Sequence, residues 1–254
     1  MREDHDLEIL FVDNHLLAVA KPPGLVTQPS GHHRDSLEIR AKRWLQKRFQ
    51  KPGNVFLEAV HRIDRLASGV VLFARTSKAL SRLNASVRER KVAKVYLALV
   101  EGRMSPPSDR LVHWLRHGDH RAEVAERGAR AARESVLEYR CVAEVGDRTL
   151  LEVQLLTGRY HQIRVQLSEV GYPVAGDQLY GGGKTSGGLG IALHHWRLTV
   201  PHPTLGETVE MVAPLPDTAP WDGVSRQTGI KSGAFDDVTS SSPKFEITNP
   251  KSKM

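Results

Sequence analysis

The sequence is poor in cysteine, Cys141 being the single one in 254 residues. One thiol closes no internal disulfide and completes no multi-cysteine zinc site, and it suits a reducing compartment. Long apolar runs are also missing: none nears the roughly 18 residues that a membrane helix needs, so no membrane association is expected. The opening MREDHDLEIL has acids where an export signal has cations ahead of an apolar stretch, which points to the cytoplasm. Neither the GxSxG elbow of serine hydrolases nor the GxGxxG dinucleotide fingerprint occurs. The stretch GGGKTSGG looks like a phosphate-binding loop, but Gln178 stands where GxxxxGK[ST] requires its first glycine, and the segment reads as a mobile surface loop. His32-His33 and His194-His195 offer metal ligands. Neighbours on a strand point to opposite faces, however, and no HExxH or cysteine pair completes a site, so no metal is expected.

What the sequence does have is positive charge, a formal net +7. Lysine and arginine gain affinity for a polyanion by releasing its counterions, although charge alone fits any soluble basic enzyme equally well. The apolar pattern gives strands at Leu16 to Ala20, Val55 to Val60, Val70 to Ala74, Lys94 to Val100, Val136 to Val142, Thr149 to Leu155, Ile191 to Val200 and Thr208 to Val212. Helical spacing starts at Asp35, an expected N-cap with Glu38 three positions on, and runs through Leu37, Ala41, Trp44, Leu45 and Phe49. Two further helices are read, one from Ser77 to about Lys91 and one from about His161 to Val170, stopped by Gly171. Strands outnumber helices without strict alternation, which predicts an α+β fold: a mainly antiparallel, mixed central sheet flanked by helices.

Residues 1–216 read as a single domain. Within it, Arg103 to Arg133 is charged and lacks a sustained apolar period, so it reads as a variable excursion from the sheet. Beyond it, 222–254 is rich in Ser, Thr, Asp, Lys and Pro and reads as a disordered tail. Between Arg34 and Lys51 seven cations face two acids, which is either a solvated helix face or a stripe for a polyanion.

The chemistry concentrates in polar motifs at the ends of apolar segments. In His61-Arg62-Ile63-Asp64-Arg65-Leu66-Ala67-Ser68-Gly69, one carboxylate lies among two arginines and a histidine. Such a group is expected to stay ionised, which suits a nucleophile rather than a general acid. An isolated Asp-Arg pair would more readily be an ion pair stitching a loop. The other motifs are LAVAKPPGLVTQP at 17–29, KVYLALVEG at 94–102, LTGRYHQIRV at 156–165, GYPVAGDQLYGG at 171–182 and LHHWRLTVPHP at 193–203.

HRIDRLASG resembles the HRLDRxTSG signature of the RluA-type pseudouridine synthases, a family acting on uridines in ribosomal and transfer RNA. The remaining motifs are similar, in order, to the family's KPxG turn, its KxYxAxVxG strand and its LxTGRxHQIRV segment, over roughly residues 10 to 216. Ile63 and Ala67 depart from the signature, and Arg103 to Glu134 matches poorly. The resemblance is to the form without a separate N-terminal RNA-binding domain.

It implies isomerisation of uridines to pseudouridine in structured RNA (rRNA or tRNA), through an aspartate nucleophile and base flipping. Asp64 becomes the nucleophile, Tyr96 the ring that packs on the uracil and a candidate to take its C5 proton, and Arg164, over Arg159, the partner that orients Asp64. Arg62 and His61 become candidates to fill the gap left by the flipped base. Lys21, His61, Arg62, Arg65, Arg159, His161 and Gln162 are the expected RNA contacts. An isomerisation changes no oxidation state, so no cofactor is implied, and the family likeness leans towards a monomer. Two rivals are an RNA-binding module that keeps the fold without catalysis, opposed by the presence of all three catalytic residues, and a glycosidase pairing Asp64 with Asp177.

Overall fold

The structure is a computed structural model that describes residues 7–184, 189–221, 224 and 228. In chain order its elements are β1 (Glu8–Val12), β2 (Leu16–Lys21), α1 (Leu37–Arg48), β3 (Glu58–Ala59), β4 (Ser68–Ala74), α2 (Ser77–Arg88), β5 (Ala93–Glu101), β6 (Ser108–His117), β7 (Ala122–Ala125), β8 (Arg133–Val145), β9 (Arg148–Leu155), α3 (Gln162–Glu169), a 3-10 turn at Gln178–Tyr180, β10 (Leu193–Pro201) and β11 (Thr208–Val212). All the described strands join one sheet in the order β1-β2-β4-β10-β5-β9-β8-β6-β7, with β3 on β4 and β11 on β10. Every pairing is antiparallel except β4 with β10, so the sheet is mixed and mainly antiparallel, as the strand-rich pattern predicts. Among the described residues no helix is long and apolar enough to cross a membrane.

The runs LLAVA and VVLFA are continuous rather than alternating because β2 and β4 are buried on both faces. Leu17, Val19, Val71 and Phe73 pack with Leu37, Ala41 and Leu45 of α1 on one side. On the other, Leu16, Ala18, Val70 and Leu72 pack with Ala79 and Leu83 of α2 and Met211 of β11. The helices start at side-chain caps: Ser36 Oγ accepts from Ile39 N at 3.3 Å, and Thr76 Oγ1 from Ala79 N at 3.1 Å.

Several expectations need correction. Ser36, not Asp35, caps α1; the Asp35 carboxylate pairs with Arg40 instead. The strand expected at Val55 to Val60 shrinks to Glu58–Ala59, which pair with Ala74 and Phe73 of β4, with Val60 N adding one bond to Leu72 O at 2.9 Å. The segment Arg103 to Arg133 is no excursion from the sheet, because β6 and β7 lie within it and extend the sheet past β8. Its missing apolar period reflects exposure, since at the sheet edge only Leu111 and Leu115 of β6 are buried. The packed chain also runs beyond Pro216: Trp221 and Val224 are buried in the main core beside Leu215. Apart from Val224 and Thr228, the expected disordered tail lies outside the described residues, as do residues 185–188 of GGGKTSGG.

Candidate active site

The HRIDRLASG loop is fixed from both ends. Gly69 enters β4 at φ +115°, and a Cβ there would lie 2.2 Å from the His195 carbonyl oxygen, so only glycine lets β4 run beside β10. On the other side the KPPG turn holds the loop: Gly24 N donates to Arg65 O at 2.7 Å, and Thr27 Oγ1 donates to Ile63 O at 3.3 Å. Lys21 lies beneath, 1% exposed, its ammonium donating to Pro22 O (2.8 Å), Leu25 O (2.7 Å) and Arg65 O (3.2 Å). Burial pushes its pKa down to about 7, against the pull of Asp64. Lys21 is therefore a tie between two loops and not the RNA contact expected of it, since its buried nitrogen is surrounded by three backbone carbonyls.

Arg164 comes from α3, a helix buried almost throughout, so its polar side chains must find partners inside. Its Nη1 donates to Asp64 Oδ2 at 3.0 Å, while Nε and Nη2 grip Asp177 Oδ2 and Oδ1 at 2.6 and 2.8 Å. Burial opposes its charge, but the hydrogen bonds and charges of Asp177 and Asp64 outweigh that and raise its pKa. The pairing of Arg164 with Asp64 is as the sequence predicts. Arg159 is exposed at the cleft, its Nε toward Glu134 O at 3.5 Å. The sequence reading missed that Asp177 orients the guanidinium from behind. With both oxygens engaged and 1% exposure, Asp177 is not a second acid facing Asp64 across a pocket, which removes the paired-carboxylate glycosidase geometry.

Gln162, also expected at the RNA, is saturated internally. Its Oε1 accepts from Thr157 Oγ1 (2.9 Å) and Arg159 N (3.0 Å), and its Nε2 donates to Val136 O (3.1 Å) and Gln166 Oε1 (2.9 Å). His161 starts α3 from the left-handed region, φ 52°. That backbone turns its ring to the cleft, Nε2 3.8 Å from Asp64 Oδ2 and Nδ1 3.0 Å from the Tyr180 hydroxyl. Burial, with Arg164 as a lesser cause, holds His161 down at about 4 despite Asp64, so the imidazole is neutral at pH 7.

Tyr96 of β5 lies in the cleft wall, 7% exposed, stacked on His195 at 4.4 Å and 15°. Burial first, and then the Asp64 charge, raise its pKa. A phenol so shifted stays protonated at neutral pH, so Tyr96 presents a ring face and a hydroxyl proton to the cleft. His195 donates Nδ1–H to Val70 O at 2.7 Å, and its Nε2 is buried without a hydrogen-bond partner among the described residues. His61 packs edge-on against His195 at 5.1 Å, and its Nε2 accepts from Leu72 N at 3.2 Å. The ring is thereby tied to β4, which leaves exposed Arg62 as the candidate to fill a gap in the RNA.

Asp64 opens onto a cleft of about 1350 Å³ lined also by Arg62, Arg65, Lys94, Arg159 and Tyr96. Lys94 was not singled out from the sequence, although it sits two residues before Tyr96 on the same strand face. One reactive carboxylate with a fixed partner, an aromatic wall and a cationic rim can receive a single flipped nucleotide of a polyanion.

A family model described as RNA pseudouridylate synthase matches residues 15–169. The ribosomal large subunit pseudouridine synthase D of Pseudomonas aeruginosa is 32% identical over 235 residues, 87% of this chain and 72% of that protein. An uncharacterized RNA pseudouridine synthase of Synechocystis is 34% identical over 217 residues, 83% of this chain and 66% of its own length, so the chain spans about two thirds of that relative. Among solved structures, human RNA pseudouridylate synthase domain containing 4 superposes with a TM-score of 0.68 at 23% identity, covering 82% of this chain and 88% of that one, a likeness of fold.

Proposed function

The chain belongs to the RNA pseudouridylate synthase family and isomerises uridine to pseudouridine in RNA, and we propose that Asp64 is its nucleophile and the large ribosomal subunit RNA its substrate. The observation that carries the assignment is the Asp64 carboxylate, held by Arg164 at 3.0 Å at the base of a cation-lined cleft. The name of the Pseudomonas aeruginosa relative supports the choice of RNA. In this reading the enzyme is a cytoplasmic monomer with RNA as its partner.

The reaction breaks the bond between N1 and C1′, turns the uracil and joins C5 to C1′; the C5 proton passes to solvent and N1 takes one up from solvent, so that the product is an isomer of the substrate. Asp64 supplies a carboxylate oxygen to the carbon under attack, forming a covalent or tightly ion-paired intermediate that keeps base and sugar together while the uracil turns. Arg164 fixes the direction of that oxygen and stabilises the carboxylate whenever it is released, and Asp177 keeps Arg164 from turning away. Tyr96, backed by His195, gives the uracil a flat wall. Taking the base from its stack costs a few kcal/mol, which Arg62 offsets by entering the gap while Arg65 and Arg159 meet phosphates.

The test uses large-subunit RNA carrying tritium at C5 of uridine. The parental enzyme releases tritium; Asp64→Asn, which removes the charge at nearly constant volume, binds the RNA with near-parental affinity and releases none. Release by the asparagine variant at anything near the parental rate would overturn the assignment.

A further inference from the structure

Next to the cleft lies a column of three rings that the reaction scheme does not use. His117, the last paired residue of β6, stacks on Tyr160 at 4.3 Å and 21°, and Tyr160 stacks on His161 at 3.8 Å and 20°. His161 Nε2 in turn lies 3.8 Å from Asp64 Oδ2, so the column leads from the nucleophile to the surface. These intervals approach the about 3.4 Å step between stacked bases. His117 is exposed at the tip of the β6–β7 hairpin, and Tyr160 remains 41% exposed at its edges.

The hairpin has ties besides this column, which itself adds two turn contacts: His117 Nδ1 lies 2.7 Å from Gly118 O, and Tyr160 Oη donates to His120 O at 3.4 Å. Tyr180 Oη accepts from Ala122 N at 2.7 Å, and Leu115 and Ala122 pack on Val165 and Tyr180 in a small core of their own. The turn closes on Gly118 N to Arg121 O at 2.8 Å, and Arg116 pairs with Glu123 at 3.0 Å. The stacked alignment of two exposed rings with a third inside the site is more than these ties require. Arg121, with its guanidinium 5.9 Å from the Tyr180 ring, and exposed Arg159 flank the column with positive charge.

We propose that the outer face of His117 receives the nucleobase adjacent to the target uridine, making the β6–β7 hairpin a determinant of which uridines are accepted. The inference rests on the uridine-isomerising reading above and names the part of the RNA that this surface takes. Flipping one base leaves its neighbour without a stacking partner, and a flat ring offers any base a replacement face. The ring column holds that face at a fixed distance from Asp64, so the neighbour's position sets the register of the flipped nucleotide.

The probe is a synthetic stem-loop spanning the uridine that the enzyme modifies in large-subunit RNA, intact or with an abasic nucleotide on one side or the other of the target. On intact RNA, His117→Ala is expected to raise KM about tenfold with a much smaller change in kcat, and His117→Trp to restore KM to the parental value or below. On one of the two abasic RNAs the parental enzyme and His117→Ala should have the same KM, because the contact is already gone. Equal KM on intact RNA at unchanged melting temperature would overturn the proposal. So would a difference that persists on both abasic RNAs, which would mean that His117 meets a phosphate or only supports the protein. Tritium release by the parental enzyme in the same assay keeps the reaction itself separate from this outcome.

Discussion

Arg164 is held by two carboxylates, and they do different work. Asp177 takes two of its nitrogens in a buried bidentate pair, and the remaining nitrogen is left for Asp64. Asp177→Asn turns one of those acceptors into a donor facing the guanidinium. Breaking a buried pair from one side costs about 3–5 kcal/mol of stability. Turnover at saturating RNA is expected to fall roughly a hundredfold with little change in KM, as misplacing a catalytic group does. Urea unfolding and tritium release read the two effects, and parental kcat in a folded Asp177→Asn protein would show that Arg164 needs no orienting partner. Asp64 and Arg164 were legible because their motifs could be matched residue by residue. Asp177 entered the sequence reading as the second acid of the glycosidase rival and not as a partner of Arg164, since nothing in GDQLY tells which cation its carboxylate meets 13 positions away. Lys21 and Gln162 were misread for the converse reason: a motif marks residues that build the loop as strongly as residues that touch substrate, and only their saturated hydrogen bonds separate the two.

At the scale of elements, the site hangs on the short parallel seam between β4 and β10, which pairs His194 with Ser68 and His195 with Gly69. The seam carries the Asp64 loop on one strand and the ring behind Tyr96 on the other. Gly69→Ala would place a methyl group 2.2 Å from the His195 carbonyl oxygen at a positive φ. Neither clash can relax without parting the strands, so a loss of at least about 3 kcal/mol is expected, with activity lost in parallel. A urea midpoint within experimental error of the parental one would show that the seam is not needed. Elements of this buried kind were the legible ones: LLAVA and VVLFA announce strands because both faces are covered. The strand β6, next to the edge strand β7, was illegible because its sequence SDRLVHWLRH spreads cations and two buried leucines over a largely exposed strand, a pattern that resembles a loop as closely as a strand.

Across the whole molecule, burial of neutral histidines ties the fold to pH. Burial holds His161 and His194 at about 4 and His195 at about 3, all below the ordinary 6.5. Below pH 6.5 the unfolded chain takes up these protons and the folded one does not, until the pH reaches the folded values. Stability is therefore fully present above pH 6.5 and lost as the pH falls toward 4, each histidine adding a slope approaching about 1.4 kcal/mol per pH unit. Urea midpoints at pH 7.5, 6 and 5 should fall steadily; a flat series would mean that these imidazoles are not buried neutral. The same long-range construction sets when the enzyme becomes competent during its own synthesis. Asp64 and Arg164 are 100 residues apart. At translation rates of about 5–20 residues per second, HRIDRLASG precedes its guanidinium partner by roughly 5–20 s. A nascent chain thus carries an unaligned carboxylate until α3, Asp177 and then β10 have been made and packed.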